Sequence, residues 1–470
     1  MQRWYRICLA AAACALVGAG CRTDRQAVSG ADWPGFGGPG MTGVSAETGL
    51  ADRWGPDGPR RLWSVSMNRG WSSPAVADGR VYILDAHMGE SESLLCLDLQ
   101  TGRQIWSDSW TNTRQDRWQG SRTAPRVDQK RIYVLGHDGQ LRCYRRADGK
   151  LLWNRNIHKE FPRRPRGPVW GYTCDPVLWG DLVIVAPSSF RTGLAAYRQD
   201  TGQLAWTSPP VGINSFSNQQ PRLLRLGGVD QVVIMANQYV GKDPPAVVSG
   251  VEAETGRLLW QTLTPSACNV PIPPAVAIGP DKILLTAGYR MGTVLLQIVP
   301  RSQGDPQADP VVPGRAARVG QVRHYHRVAG RTPMMAQLLW VKPAPNCHIQ
   351  MPILYRDCIW ANSFDKFHQS KNLGLVCMDP NSGEILWSSG PDKTFANGPL
   401  LIAGDKIYIV DAIGGELSMV AADREGYRLL DSAEIFEGRP LDVWAPLALS
   451  EGKLLVRSQG ELICLDVSEP

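Results

Sequence analysis

Leu99-Gln100-Thr101-Gly102-Arg103-Gln104-Ile105-Trp106 sets how the rest of the chain reads, because its pattern is written five times. It returns as Arg146-Ala147-Asp148-Gly149-Lys150-Leu151-Leu152-Trp153, as Gln199-Asp200-Thr201-Gly202-Gln203-Leu204-Ala205-Trp206, as Glu254-Thr255-Gly256-Arg257-Leu258-Leu259-Trp260 and as Asn381-Ser382-Gly383-Glu384-Ile385-Leu386-Trp387. The Trp always lies four residues after the Gly. Each copy reads as a hairpin: a short apolar run such as Leu94-Leu95-Cys96-Leu97, a polar pair, a Gly that takes the positive φ of a tight turn, and a second apolar run. The Gly sets the register, so the indole recurs at one height. A side chain that buries about 150–250 Å² is best used there to fill the gap between neighbouring sheets, which one sheet alone cannot do.

Outward from the hairpin, each copy closes a larger unit. The first runs from Ser72-Ser73-Pro74-Ala75-Val76-Ala77-Asp78-Gly79 through Arg80-Val81-Tyr82-Ile83-Leu84 and Leu94-Leu95-Cys96-Leu97 to the strand of Trp106. Four short antiparallel strands per repeat make the blade of a β-propeller. Later units open at Thr123-Ala124-Pro125, Cys174-Asp175-Pro176, Gln219-Gln220-Pro221, Ile272-Pro273-Pro274, Gln350-Met351-Pro352 and Asn397-Gly398-Pro399. The fifth delays its outer strand to Leu338-Leu339-Trp340, behind a Pro-, Gly- and Arg-rich insertion at 301–336. The seventh carries Leu429-Leu430 where the Trp is expected.

An eighth unit starts at Ala445-Pro446-Leu447 and stops at Leu465 with three strands, while Arg61-Leu62-Trp63-Ser64-Val65 is a closing strand with no blade in front of it. The two ends are therefore expected to share the last blade, leaving no open edge in the ring. The fold expected is all-β: an eight-bladed β-propeller of four-stranded antiparallel blades over 60–470, closed by an N-terminal outer strand. Its structural indoles are Trp63, Trp106, Trp153, Trp206, Trp260, Trp340 and Trp387.

The chain begins differently. Arg3 and Arg6 precede an apolar run at 7–20 that is short for a membrane span, so 1–20 reads as a signal peptide. Val17-Gly18-Ala19-Gly20-Cys21 resembles a bacterial lipobox, with Gly18 where Leu is commoner. Lipidation of Cys21 is expected, an anchor that holds without spanning. Residues 21–59 read as a Gly/Pro-rich tether. Within it Gly35-Phe36-Gly37-Gly38-Pro39-Gly40 matches a GxGxxG pattern in letters only, since no strand precedes it and no helix follows. A net charge of +6 over 470 residues, with no basic stripe among aromatics, argues against nucleic acid. Cys96, Cys143, Cys377 and Cys464 hold matching places in different units, which suits buried thiols better than disulfides.

The repeated Gly-x-x-x-Trp endings, with openings such as Ser73-Pro74-Ala75-Val76 and the strand Asp181-Leu182-Val183-Ile184-Val185, resemble the PQQ-binding-like β-propeller repeat proteins over 60–467. That resemblance implies one of two groups: quinoprotein dehydrogenases that hold pyrroloquinoline quinone with a metal, or non-catalytic exported propellers of the BamB kind. The chain has no adjacent Cys-Cys pair and no Cys-x-x-Cys-His, and the first group's metal and catalytic residues find no matching positions. The expected function is thus a non-catalytic propeller lipoprotein at the periplasmic side of a bacterial cell envelope. It would take an envelope protein or polymer as partner and bind no metal, cofactor or nucleic acid. The alternative is a dehydrogenase of alcohols or sugars that uses PQQ with calcium.

No catalytic or cofactor-binding residue is assigned. The loops that gather on one face supply the candidate binding surface: Arg69, Trp71, Trp118, Arg122, Arg163, Arg164, Trp170, Tyr172, Phe216, Asn218, Gln219 and His348. Arg and aromatics together are what binding surfaces enrich. Packing of Trp71, Trp170 and Tyr172 over the channel mouth is the competing reading. His324-Tyr325-His326 stands among arginines with no acid nearby, which favours a solvated basic loop over a metal site.

Overall fold

The computed structural model describes residues 32–87, 89–114, 120–162, 170–187, 189, 191–211, 219–237, 244–268, 270–305, 331–365, 372–436 and 442–469. Cys21, Trp118, Arg163, Arg164, Phe216, Asn218, His324 and His326 lie outside the described residues, as do the signal peptide and positions 306–330 of the insertion.

Blade one is built from Ala75–Ala77, Arg80–His87, Ser91–Asp98 and Gln104–Thr111, antiparallel and in that order from the axis outward. Its innermost strand is an edge, so a Pro just ahead of it costs no ladder hydrogen bond, and Pro74 stands there. Seven further sheets repeat the plan. Innermost strand Ala75–Ala77 touches Arg126–Val127 of blade two on one side and Ala448–Ser450 of blade eight on the other. In blade eight the outer strand is Arg60–Ser66, with Trp63 opposite Cys464 and Ser64 opposite Ile463. The ring closes between the two ends of the chain, as expected, and its hydrophobic cores lie between blades, as where Val81 and Ile83 meet Leu454 and Leu465. All eight described cysteines are free and buried, with Cys96, Cys143, Cys377 and Cys464 each directly across from an indole.

A one-residue bulge interrupts the outermost ladder of every blade, immediately before the indole position. A bulge bends its strand and re-aims the next side chain, and here it turns the indole onto the following blade. A Cβ on Gly102 would lie 2.6 Å from the ring of Trp63, one on Gly149 2.6 Å from Trp106, one on Gly202 2.7 Å from Trp153 and one on Gly256 2.5 Å from Trp206. Trp63 and Trp153 also donate Nε1 to the carbonyls of Leu99 and Gln199 at 2.9 Å, just ahead of those turns.

Two places depart from this latch, each for a visible reason. Trp260 would face a turn in blade five that the insertion replaces; it is fully buried and donates Nε1 to Oε1 of Gln231 in its own blade at 2.6 Å. In blade seven the register puts Asp431, not Leu429 or Leu430, at the indole position, opposite Met419. Its target would be a turn in blade eight that does not exist, because Glu461–Asp466 and Arg60–Ser66 are not joined. There the Asp431 carboxylate instead accepts the Trp54 amide at 2.8 Å.

Residues 32–59, part of the stretch expected as a tether, pack on the propeller. Trp33 exchanges two backbone hydrogen bonds with Val76 of blade one, and Pro34 O accepts from the Val127 amide of blade two. Val44–Ser45 adds a parallel strand to Leu400–Ala403 of blade seven. Inner edges carry unpaired backbone groups, and this segment answers some of those in three blades.

Candidate functional site

The chain enters every blade at its inner strand, so the loops ahead of those strands gather around one end of the axis. They enclose a cavity of about 270 Å³. Trp71 comes from the loop into blade one, Arg122 from blade two, Trp170 and Asp175 from blade three, His348 from blade six and Trp444 from blade eight, while Phe36 of the N-terminal segment also faces in. Trp71 and Trp444 stack at 5.6 Å between centroids with planes 17° apart. The Arg122 guanidinium lies 5.0 Å from the Trp71 ring and donates to the Trp170 carbonyl at 2.5 Å. Tyr289 meets His348 edge-on at 5.0 Å.

Of the residues expected on the binding face, Trp71, Arg122, Trp170 and His348 are brought together in this cavity. Tyr172 and Gln219 are buried behind its wall, Tyr172 close against Gly139 and Gln219 donating to the Pro273 carbonyl at 2.7 Å. Arg69 is exposed outside the lining. Sequence reading missed Trp444, which had a signal: it stands just ahead of its blade's opening Pro, as Trp71 does. Phe36 had none, because nothing local says that its segment crosses the axis.

Two buried acids stitch the loops beneath this mouth. Asp175 accepts the Ala124 amide at 2.7 Å through Oδ1, and its own amide donates to Oε1 of Gln220 at 2.7 Å, joining blades two, three and four. Glu92 accepts from the Ser121 hydroxyl at 2.7 Å, the His137 amide at 2.9 Å and the Asn112 amide group at 3.1 Å. Burial pushes each carboxyl up to about 7, and for Glu92 the nearby Asp138 adds to the rise.

A carboxyl whose pKa is higher in the folded than in the unfolded chain stabilises the fold while it is protonated. That contribution is lost as pH rises from the unfolded value toward 7. Glu92→Gln should therefore flatten the pH dependence of stability. Relative to the variant, wild type should lose about 3 kcal/mol between pH 4.5 and 8, read by urea unfolding at each pH; parallel curves would refute the assignment.

Fold and mouth together define an eight-bladed β-propeller with an aromatic-lined cavity at one end of its axis. Residues 44–261 match the family model described as outer membrane protein assembly factor BamB. No curated protein sequence matches the chain. In fold it is similar to the quinohemoprotein alcohol dehydrogenase of Comamonas testosteroni, with TM-score 0.59 and 14% identity over 94% of this chain and 83% of that one. It is also similar to BamB of Moraxella catarrhalis, with TM-score 0.51 and 12% identity over 87% of this chain and 99% of that one. A europium-containing methanol dehydrogenase gives TM-score 0.56 and 12% identity over 91% and 89%.

The dehydrogenase neighbours raise the question of a metal-held quinone. Among the described residues no three His, Cys, Asp or Glu side chains converge as ligands. Asp175, the acid in the cavity lining, already holds the Ala124 amide. Calcium takes six to eight oxygen ligands, and this donor set does not fit it.

Proposed function

We propose that the protein is a binding propeller of the bacterial cell envelope, exported by residues 1–20, lipid-anchored at Cys21, and engaging an envelope protein through its aromatic mouth. The observation that carries this reading is the convergence of Trp71, Trp444, Trp170, Tyr289 and Arg122 around one opening. Trp, Tyr and Arg in a desolvated centre are what hot spots of protein interfaces are made of. The match to the BamB family over 44–261 supports the scaffold role. Among the described residues no helix is long and apolar enough to cross a membrane, so on this reading attachment falls to the lipid.

The test is site-specific cross-linking at the mouth in intact envelopes, with the captured protein identified and its affinity measured on purified components. Trp71→Ala with Trp444→Ala should weaken that affinity at least about 10-fold while the thermal transition stays cooperative. Tight binding of PQQ with calcium, accompanied by alcohol- or sugar-dependent dye reduction, would overturn the proposal in favour of a dehydrogenase.

A further inference from the structure

We propose that Arg126 and Arg222 form a binding site for a small oxyanion, carboxylate or phosphate in type, at the floor of the axial cavity. The inference concerns a layer below the aromatic mouth and stands whichever partner the mouth engages.

Arg126 begins the inner strand of blade two and Arg222 that of blade four. Each lies two residues past a residue that lines the cavity, Ala124 and Gln220. Extended chain repeats every two residues, so both side chains belong to the next layer down on the lined side. Asp175 of blade three comes between them. Gly35 closes the layer from the N-terminal segment: a Cβ there would lie 3.2 Å from Cδ and 3.4 Å from Nη1 of Arg126, and its φ of +148° is one that L side chains rarely adopt.

What sets this pair apart is a set of N–H groups with no acceptor among the described residues. Arg222 is 6% exposed, and its Nε and Nη1 are buried with no hydrogen-bond partner among the described residues. Nη1 of Arg126 is likewise buried and unmatched. Elsewhere in this protein a buried guanidinium is answered: Arg142 by Asp108 at 2.9 Å, Arg457 by Asp85 and a row of carbonyls. Asp175 does not balance the pair, because its Oδ1 is already taken by Ala124 and burial leaves it partly protonated near neutrality. Burial and the Arg126 charge pull Arg222 down to about 9.

A buried cation beside a half-buried one, each with open N–H groups, and one compromised acid are strongly unfavourable as they stand. A small oxyanion removes both defects at once. It supplies the charge, and its paired oxygens match the planar fork of a guanidinium. The apolar rings above hold water away from the contact and strengthen it.

The experiment uses the full chain in a buffer free of carboxylate, phosphate and sulfate. Sodium acetate, inorganic phosphate or sodium chloride is then titrated at matched ionic strength and Tm is read. Acetate or phosphate should raise Tm saturably above chloride, and which of them saturates identifies the oxyanion type. Arg222→Met should weaken the apparent affinity about 10- to 100-fold, and Arg126→Met should do the same. In the anion-free buffer Arg222→Met should melt at or above wild type, since the change removes an unpaired buried charge. The proposal is overturned if neither oxyanion exceeds chloride, or if both variants respond as wild type does.

Discussion

Arg457→Met is expected to lower the stability of the ring by about 3–5 kcal/mol, the cost of breaking a buried charge pair by removing one partner. Arg457 sits in blade eight, near the end of the chain, and all its partners are in blade one or the loop leading to it. It donates to the carbonyl of Leu84 at 2.7 Å, to that of Asn68 at 3.2 Å and to Oδ1 of Asp85 at 3.3 Å. Gln459 continues the clasp, exchanging hydrogen bonds with Gly70 at 3.0 and 3.2 Å. Met fills the volume but leaves those carbonyls unanswered. Burial lowers the guanidinium to about 10, so the charge is present at neutral pH and the loss should appear there. Arg60→Met is the control, because Arg60 pairs with Asp466 at 2.8 Å with its side chain 75% exposed. Its loss should stay below about 1 kcal/mol. Equal losses in urea unfolding would show that the clasp does not close the ring.

Gly102→Ala should be the second large effect, about 2–5 kcal/mol. Its φ of +69° strains any L side chain by about 1–2 kcal/mol. The added methyl also meets the Trp63 ring at 2.6 Å, an overpacking of about 1–3 kcal/mol. Gly426 stands in the corresponding outer turn of blade seven and would have nothing within 4 Å of its Cβ. Gly426→Ala should therefore change stability by less than about 0.5 kcal/mol. Gly426 lacks the positive φ of Gly102, so the contrast reads backbone strain and ring contact together. If both variants lose the same stability, the indole is not resting on the turn of the next blade.

The latch also accounts for what could be read in advance. A Trp four residues after a turn Gly is a local signal, and it located the outer strands because bulge, turn and ring recur within each hairpin. Its failures mark places where the neighbouring turn is missing. Trp260 looks like every other copy in sequence, yet it turns into its own blade because blade five offers an insertion in place of a turn. Asp431 takes the indole place in blade seven because the outer strand of blade eight arrives from the far end of the chain. Of the mouth, Trp71, Arg122, Trp170 and His348 were legible because they stand in loops ahead of inner strands, which must converge. Their burial was not, which is why Tyr172 and Gln219 were grouped with them although both are packed behind the wall.

By itself the amino-acid sequence determined the number of blades, the four-strand plan and the sharing of the last blade between the two termini. Those follow from period-two strands, turn glycines and counting, all of which act between near neighbours. Only the tertiary structure decided that residues 32–59 cross the axis, that Phe36 faces the cavity and that Arg126 and Arg222 lie below it with N–H groups that no described residue answers. Those facts depend on which side chains meet across a ring of about 400 residues once it has closed, and closure brings together groups that no local pattern connects.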